Sequence, residues 1–296
     1  MKLRTLAIAV AMASVATAAQ ADLKISGDIG VGYFKSGAAD GAIMESGSEI
    51  NFDASETVGA VTYYGHLEAD VQGDSFTNTV SGAAPSIAGT DPTVSGSNVA
   101  FEELRVGAKG AFGDIRFGHL GDNGCGRVQV GGSNEVWLTH KIGGCVNNAA
   151  GGISYTRDIG KATMSVSHRP GDEETSIGVA GTVGPVSASI GYTDLDGATS
   201  TAMGLAGKLG PVGLGFRYGK PDGGDAVHGI NAIYTTASGI NVYGGVQTSD
   251  AAAGMDKEMS IGFKKVVGMT DFIFEAKDTG AAADSTNYGI GLRHRF

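Results

Sequence analysis

The sequence predicts an all-β chain, folded as a transmembrane antiparallel β-barrel of about 16 strands. Apolar and polar side chains alternate with a period of two along most of the chain, which is the spacing of a strand with two different faces. Short and long links separate these alternating segments in turn. The last segment, 288–296, alternates in the same way and ends on Phe296. In such a barrel the apolar face contacts lipid and the polar face lines a wet lumen.

The N-terminal segment 1–21 is typical of a cleaved secretory signal peptide. Lys2 and Arg4 precede an Ala-rich apolar stretch, and the stretch ends on a small-x-small site whose last residue is Ala21. Cleavage there leaves 22–296 as a single barrel domain. The alternative is a membrane anchor, but the stretch is shorter and more polar than the roughly 20 apolar residues of a spanning helix. No later segment resembles a spanning helix, so strands must cross any membrane.

The composition narrows the class of protein. The chain has 50 Gly, six Pro and a net charge of −10, with 18% charged residues. This composition is typical neither of a disordered chain nor of a chain built around a Leu-rich core. Glycine inside strands is tolerated in a barrel, because closure satisfies every backbone group. The acidic balance argues against nucleic-acid binding, which favours basic patches.

The alternating segments justify the strands one after another. Helical periodicity does not compete with the period of two anywhere along the chain. The clearest segments are 23–33, 49–53, 61–71, 103–109, 114–118, 164–167, 186–193, 212–218, 240–247, 258–264, 272–277 and 288–296.

The links between these segments fall into two populations. Tight turns rich in Gly, Asp and Pro are expected at 56–59, 110–114, 158–161, 183–186, 209–212, 237–239 and 267–270. Longer polar links are expected at 35–45, 74–98, 121–150, 169–174, 195–199, 219–225, 249–256 and 278–284. We expect the two kinds to alternate strictly, with the short turns on the periplasmic side and the long links outside.

Three stretches resemble the general diffusion porins of Gram-negative outer membranes. DLKISGDIGVGY at 22–33 is similar to the first porin strand, and ELRVGAKGAFGDIRFGH at 103–119 is similar to the hairpin of strands four and five. The closing strand with Phe296 is similar to the signal that the barrel-insertion machinery reads. The chain departs from the enteric members in its shorter outer loops and in lacking their Pro-Glu-Phe-Gly-Gly sequence.

The resemblance implies an outer-membrane protein of a Gram-negative bacterium that forms homotrimers in lipid. Its water-filled channel would carry ions and small hydrophilic solutes by passive diffusion. The long link from about 121 to 151 would be the third loop, which folds inward and narrows the barrel. A transverse field would lie between a basic wall and acidic residues of this loop. The basic wall would be Arg105, Arg116 and Arg293, and the acidic residues Asp122 and Glu135, with Arg127 and Lys141 as competing cations.

The two cysteines, Cys125 and Cys145, lie within this one link. In an exported protein such a pair is most simply a disulfide. Closing a loop of about 20 residues contributes roughly 3 kcal/mol on the chain-entropy model. Two unpaired thiols or a cysteine-based metal site remain alternatives, although His140 stands alone beside them.

Other motifs carry little chemistry. Fragments that resemble calcium loops lack the full ligand set, and no Gly-x-Ser-x-Gly elbow is present. We therefore predict no enzyme activity and no cofactor. Alternatives to a passive pore are a substrate-selective channel, for which only Tyr64 and Tyr243 are clear inward aromatics, and a non-conducting barrel enzyme or adhesin.

Overall fold

The computed structural model describes residues 22–37, 41–45, 48–73, 97–120, 123–130, 151–248, 257–280 and 286–296. They form β-strands and a short 3-10 turn, Gly126–Val128. The strands are β1 Asp22–Ser36, β2 Ala42–Glu45, β3 Glu49–Val58, β4 Val61–Gly73, β5 Ser97–Gly110, β6 Gly113–His119, β7 Gly151–Ile159, β8 Ala162–Arg169, β9 Glu174–Val183, β10 Val186–Leu195, β11 Ala198–Leu209, β12 Val212–Pro221, β13 Val227–Thr235, β14 Ile240–Gln247, β15 Glu258–Val267, β16 Thr270–Asp278 and β17 Thr286–Arg295. Within these ranges no helix is long and apolar enough to cross a membrane.

The strands form one closed antiparallel sheet. Strands that follow one another in the chain are neighbours in the sheet, and the sheet closes where β1 pairs with β17. β2 pairs with residues 31–34 of β1 and β3 with residues 22–28, so β2 and β3 are two parts of one interrupted strand. The barrel therefore has 16 strands, and the predicted fold class is confirmed.

The two faces of the barrel have the opposite polarity to those of a soluble protein. Outward side chains are apolar and exposed, and Ile29, Ile190 and Ile290 are 55%, 59% and 57% exposed. Inward side chains are polar and often buried, and Ser176 and Glu275 are fully buried. An apolar surface of this size belongs in lipid, where acyl chains cover it.

The described strands begin and end where the sequence predicts links, except in two places. β2 lies inside the segment 35–45, which the sequence predicts as a link. The long link expected at 195–199 is wrong, because β10 ends at Leu195 and β11 begins at Ala198. Asp196 and Gly197 have φ values of 49° and 82°, the left-handed pair that closes a two-residue hairpin. Short and long links therefore do not alternate strictly.

Candidate functional site

A segment of the long link between β6 and β7 lies inside the barrel. Residues 123–130 run along the inner face of β8–β12, and their backbone is held there by serine hydroxyls. Gly124 donates its N–H to Ser167 Oγ at 2.8 Å, and Cys125 donates to Ser176 Oγ at 2.8 Å. Because a backbone N–H in the interior needs a partner, the inward serines fix where the segment lies. The inward-folded loop that the sequence predicts is confirmed.

The far end of this segment is held in the same way. Val130 donates its N–H to Ser189 Oγ at 3.0 Å, and its carbonyl accepts from Arg217 Nε at 3.2 Å. The backbone approaches β11 so closely that a Cβ on Gly204 would lie 2.0 Å from the Val130 oxygen. Glycine at this inward position therefore makes room for the loop rather than for water.

Asn123 anchors the start of the segment. Its side chain is 1% exposed, and its amide donates to Glu174 Oε1 at 3.0 Å and to Thr193 Oγ1 at 3.4 Å. Its Oδ1 accepts the N–H of Gly126 at 2.8 Å and so supports the 3-10 turn. One side chain thus ties the turn to β9 and β10.

Three arginines form a basic group on the lumen side of this loop: Arg105 on β5, Arg116 on β6 and Arg127 on the 3-10 turn. Asp114 Oδ2 accepts from Arg116 Nε and from Arg127 Nη2, both at 3.0 Å. Tyr64 donates its hydroxyl to the other oxygen of the same carboxylate. Asp114 therefore links the barrel wall to the folded loop. Arg105 pairs instead with a carboxylate of its own strand, Glu103.

Two cations of this wall also lie near the ring of Tyr64. Lys109 Nζ and Arg116 Cζ lie 5.6 and 5.9 Å from the ring centroid of Tyr64, within the range of cation–π attraction. Burial and the charge of Arg116 lower the pKa of Arg127, and Asp114 opposes this shift. A guanidinium stays protonated at neutral pH after such a shift. The barrel wall at β5 and β6 and the loop beside it therefore hold guanidinium groups that stay charged at neutral pH.

The sequence from residue 5 to residue 296 matches the family model of the Gram-negative porins. The chain belongs to this family. It is therefore an outer-membrane porin, a multi-pass barrel that forms a channel for diffusion. No curated protein matches the sequence.

Solved porin structures share the fold at low sequence identity. A double mutant of the Rhodopseudomonas blastica porin superimposes with a TM-score of 0.73 at 14% identity, over 93% of this chain and 100% of that one. OmpT of Vibrio cholerae, an outer membrane protein with loop L8 deleted, gives 0.70 at 15% identity, over 93% and 99% of the two chains. At such identities the likeness concerns the fold alone.

The predicted site residues of the porin do not all lie together. Arg105 and Arg116 share one patch, as described above. Arg293 also faces inward, but it belongs to another cluster, where its Nη2 donates to Asp28 Oδ2 at 2.6 Å. Asp122 and Glu135 lie outside the described residues.

The cysteines and the terminal residue complete the predicted set. Cys125 is 2% exposed within the folded loop, and Cys145 lies outside the described residues. Phe296 exchanges two backbone hydrogen bonds with Gly27 of β1, at 3.0 and 3.1 Å, and the residue is 45% exposed. The last residue thus takes part in closing the barrel.

Sequence reasoning missed the residues that hold the loop. The inward serines of β8, β9 and β10 alternate with apolar residues and look like ordinary lumen lining. Their clustering on consecutive strands, at Ser165, Ser167, Ser176, Ser187 and Ser189, was the available signal. Asn123 gives no signal of its own, because its partners on β9 and β10 are distant in the sequence.

Proposed function

We propose that this porin carries ions and small hydrophilic solutes through a lumen narrowed by its third loop, and that the basic group sorts them by charge. The observation that carries this proposal is the position of residues 123–130 across the inner wall. Arg127 of this segment shares Asp114 with Arg116 of the barrel. A solute that passes the loop must therefore pass three guanidinium groups at close range.

Acidic residues elsewhere would complete a transverse field. We propose Asp122 and Glu135 of the loop as acidic partners of the basic wall, and Arg293 as a further cation of the lumen. Field lines between opposite charges in a narrow, low-dielectric site orient polar solutes. Both signs along the path predict weak ion selectivity.

Four further features of the protein are expected of an exported porin. We propose that residues 1–21 are removed on export, that Cys125 pairs with Cys145, that Phe296 serves as the insertion signal and that the mature protein is a homotrimer without enzyme activity. Membership in the porin family supports a channel rather than an enzyme or an adhesin.

Conduction in planar bilayers tests the proposed function. Purified protein should give stable, stepwise currents in a salt gradient. The double variant Arg105→Gln, Arg116→Gln should move the reversal potential toward the value for cations, because the removed charges repel them. The shift should shrink as salt rises, since screening shortens the reach of a charge to roughly 3 Å at 1 M.

A control variant distinguishes the effect of charges in the lumen from the effect of the protein's net charge. Arg157 of β7 is exposed, and it pairs in register with Met164, whose side chain faces outward. Arg157→Gln removes one positive charge from the outer face, half of what the double variant removes from the lumen, and should leave the reversal potential unchanged. A protein that folds and inserts but never conducts would refute the pore.

A further inference from the structure

A cluster of charged side chains on β4 and β5 lies beside the basic group. His66 and Glu68 share the inward face of β4, and Glu103 of β5 is the direct register partner of Glu68. Two carboxylates placed directly opposite each other repel, which destabilises the pair. A β-bulge follows at once, where the register shifts between Glu68 and Ala69. Bulges of this kind often re-aim side chains beside functional sites.

His66 is held so that one ring nitrogen faces the two carboxylates. Its Nδ1 lies 2.7 Å from Asp53 Oδ1, while its Nε2 is buried without a hydrogen-bond partner. When the ring donates its Nδ1 proton to Asp53, the Nε2 lone pair is available to a metal ion. That lone pair lies 3.6 Å from Glu68 Oε2 and 3.5 Å from Glu103 Oε2. A lone pair aimed at two anionic oxygens is an arrangement that a cation stabilises.

We propose that His66, Glu68 and Glu103 bind a divalent transition-metal ion of the Zn²⁺ class, with Asp53 as a positioning residue. Zinc ligands lie about 2.0–2.2 Å from the metal, so neighbouring ligand atoms of a tetrahedral site are about 3.4 Å apart. The two distances from Nε2 agree with this edge length, and all three ligand atoms lie within 4.8 Å of one another. Water from the lumen completes the coordination.

Arg105 competes with the metal for one ligand. Its guanidinium contacts the same Glu103 oxygen that faces His66, so binding of the ion displaces it. The displaced guanidinium and the neutralised carboxylates make this wall of the lumen more positive. Bound metal should therefore shift the reversal potential of the channel toward anions, in the direction opposite to the loss of Arg105 and Arg116.

Titration calorimetry with Zn²⁺ on untagged, detergent-purified protein tests the site. Wild type should bind one ion per chain, and Co²⁺ in its place should give the visible absorption of a low-symmetry site. His66→Gln and, separately, Glu68→Gln should abolish this binding. Asp53→Asn should weaken it about tenfold, the loss typical of an outer-shell partner. Arg105→Gln should tighten it, because the competitor is gone.

His168 provides the matched control. It is exposed on β8, and its Nδ1 contacts Thr175 Oγ1 at 3.0 Å, so His168→Gln should bind Zn²⁺ like wild type. Heat-modifiable gel mobility verifies that each variant is folded. The inference rests on the proposed pore only for access of the ion, and calorimetry reports binding whether or not the channel conducts. Absence of saturable binding by wild type, or unchanged binding by folded His66→Gln, would overturn the proposal.

Discussion

At the scale of single residues, serine hydroxyls and glycines hold the folded loop against the barrel wall. In a soluble protein, apolar packing would hold such a segment in place. The N–H groups of the folded loop at Gly124, Cys125 and Val130 each donate to a serine oxygen. A neutral hydrogen bond contributes about 1 kcal/mol net, and leaving the group unpaired costs more. Several such bonds are enough to keep a short segment in one place.

Gly204 offers a direct test of this account. In Gly204→Ala the new Cβ would lie 2.0 Å from the Val130 oxygen, so the segment must leave the wall. Loss of the two bonds at Val130 costs about 2 kcal/mol, which shifts the docking equilibrium roughly 30-fold. We expect a larger and noisier single-channel conductance in planar bilayers, with the barrel intact by circular dichroism.

The control for this variant lies on the same strand. A Cβ on Gly207 has its nearest neighbour at 3.4 Å, an ordinary contact. Gly207→Ala should therefore conduct like wild type. If Gly204→Ala also conducts like wild type, the loop is not held by the close approach at β11.

The alternation of polar and apolar side chains along each strand predicts which residues face the lumen. It places Arg105, Arg116, Tyr64 and Tyr243 on the inward face, and each lies there. The partner of each side chain could not be predicted, because it depends on the registers of several strands. Tyr243, for example, donates its hydroxyl to Glu275, two strands away, at 2.7 Å.

At the scale of elements, composition indicates where links lie but not how long they are. Asp194, Asp196 and Gly197 make the link between β10 and β11 look polar and open. The structure closes it in two residues, because Asp194 Oδ1 accepts the N–H of Gly197 at 3.0 Å and both central residues adopt positive φ. An Asp-Gly pair is one of the pairs that favour the type I′ turn of a two-residue hairpin.

Within the folded loop we predict a disulfide between Cys125 and Cys145. The buried position of Cys125 against Ser176 ties one end of the bridge to β9. Alkylation of the native, unreduced protein should modify neither thiol, and its intact mass should correspond to a chain that begins at Asp22. Reduction should loosen the loop and leave the barrel folded. Two freely alkylated thiols would rule out the bridge.

At the scale of the whole molecule, an inverted distribution of polarity decides where the protein resides. A continuous set of large outward side chains remains exposed on the closed barrel, including Leu23, Phe117 and Phe263. In water this surface would drive aggregation, whereas lipid or a second copy of the chain covers it. In the described part of the chain, the pairing of β1 with β17 closes the sheet and removes the two outer edges that an open sheet would offer to other chains.

Porin family membership leads us to predict a homotrimer. Unheated samples in detergent gels should run as a larger species that dissociates on heating. β4 ends at Gly73 and β5 begins at Ser97, so a short turn can replace residues 74–96 without changing either strand. The resemblance to the general diffusion porins implies that the link 74–98 is the second loop, which latches a neighbouring subunit. Its replacement should therefore lower the temperature at which the trimer dissociates. Migration of unheated wild type as a monomer only would contradict the prediction.

The last prediction concerns Phe296, which takes part in closing the barrel and is also the proposed insertion signal. Deleting Phe296 removes two backbone hydrogen bonds to Gly27, whereas Phe296→Ala keeps them and removes only the ring. If the ring is the signal, both variants should be depleted from the outer membrane, as fractionation and immunoblotting would measure. Phe296→Ala should nevertheless refold in detergent like wild type, because its backbone hydrogen bonds to Gly27 are intact. Normal delivery of Phe296→Ala to the outer membrane would show that the ring is not what the insertion machinery reads.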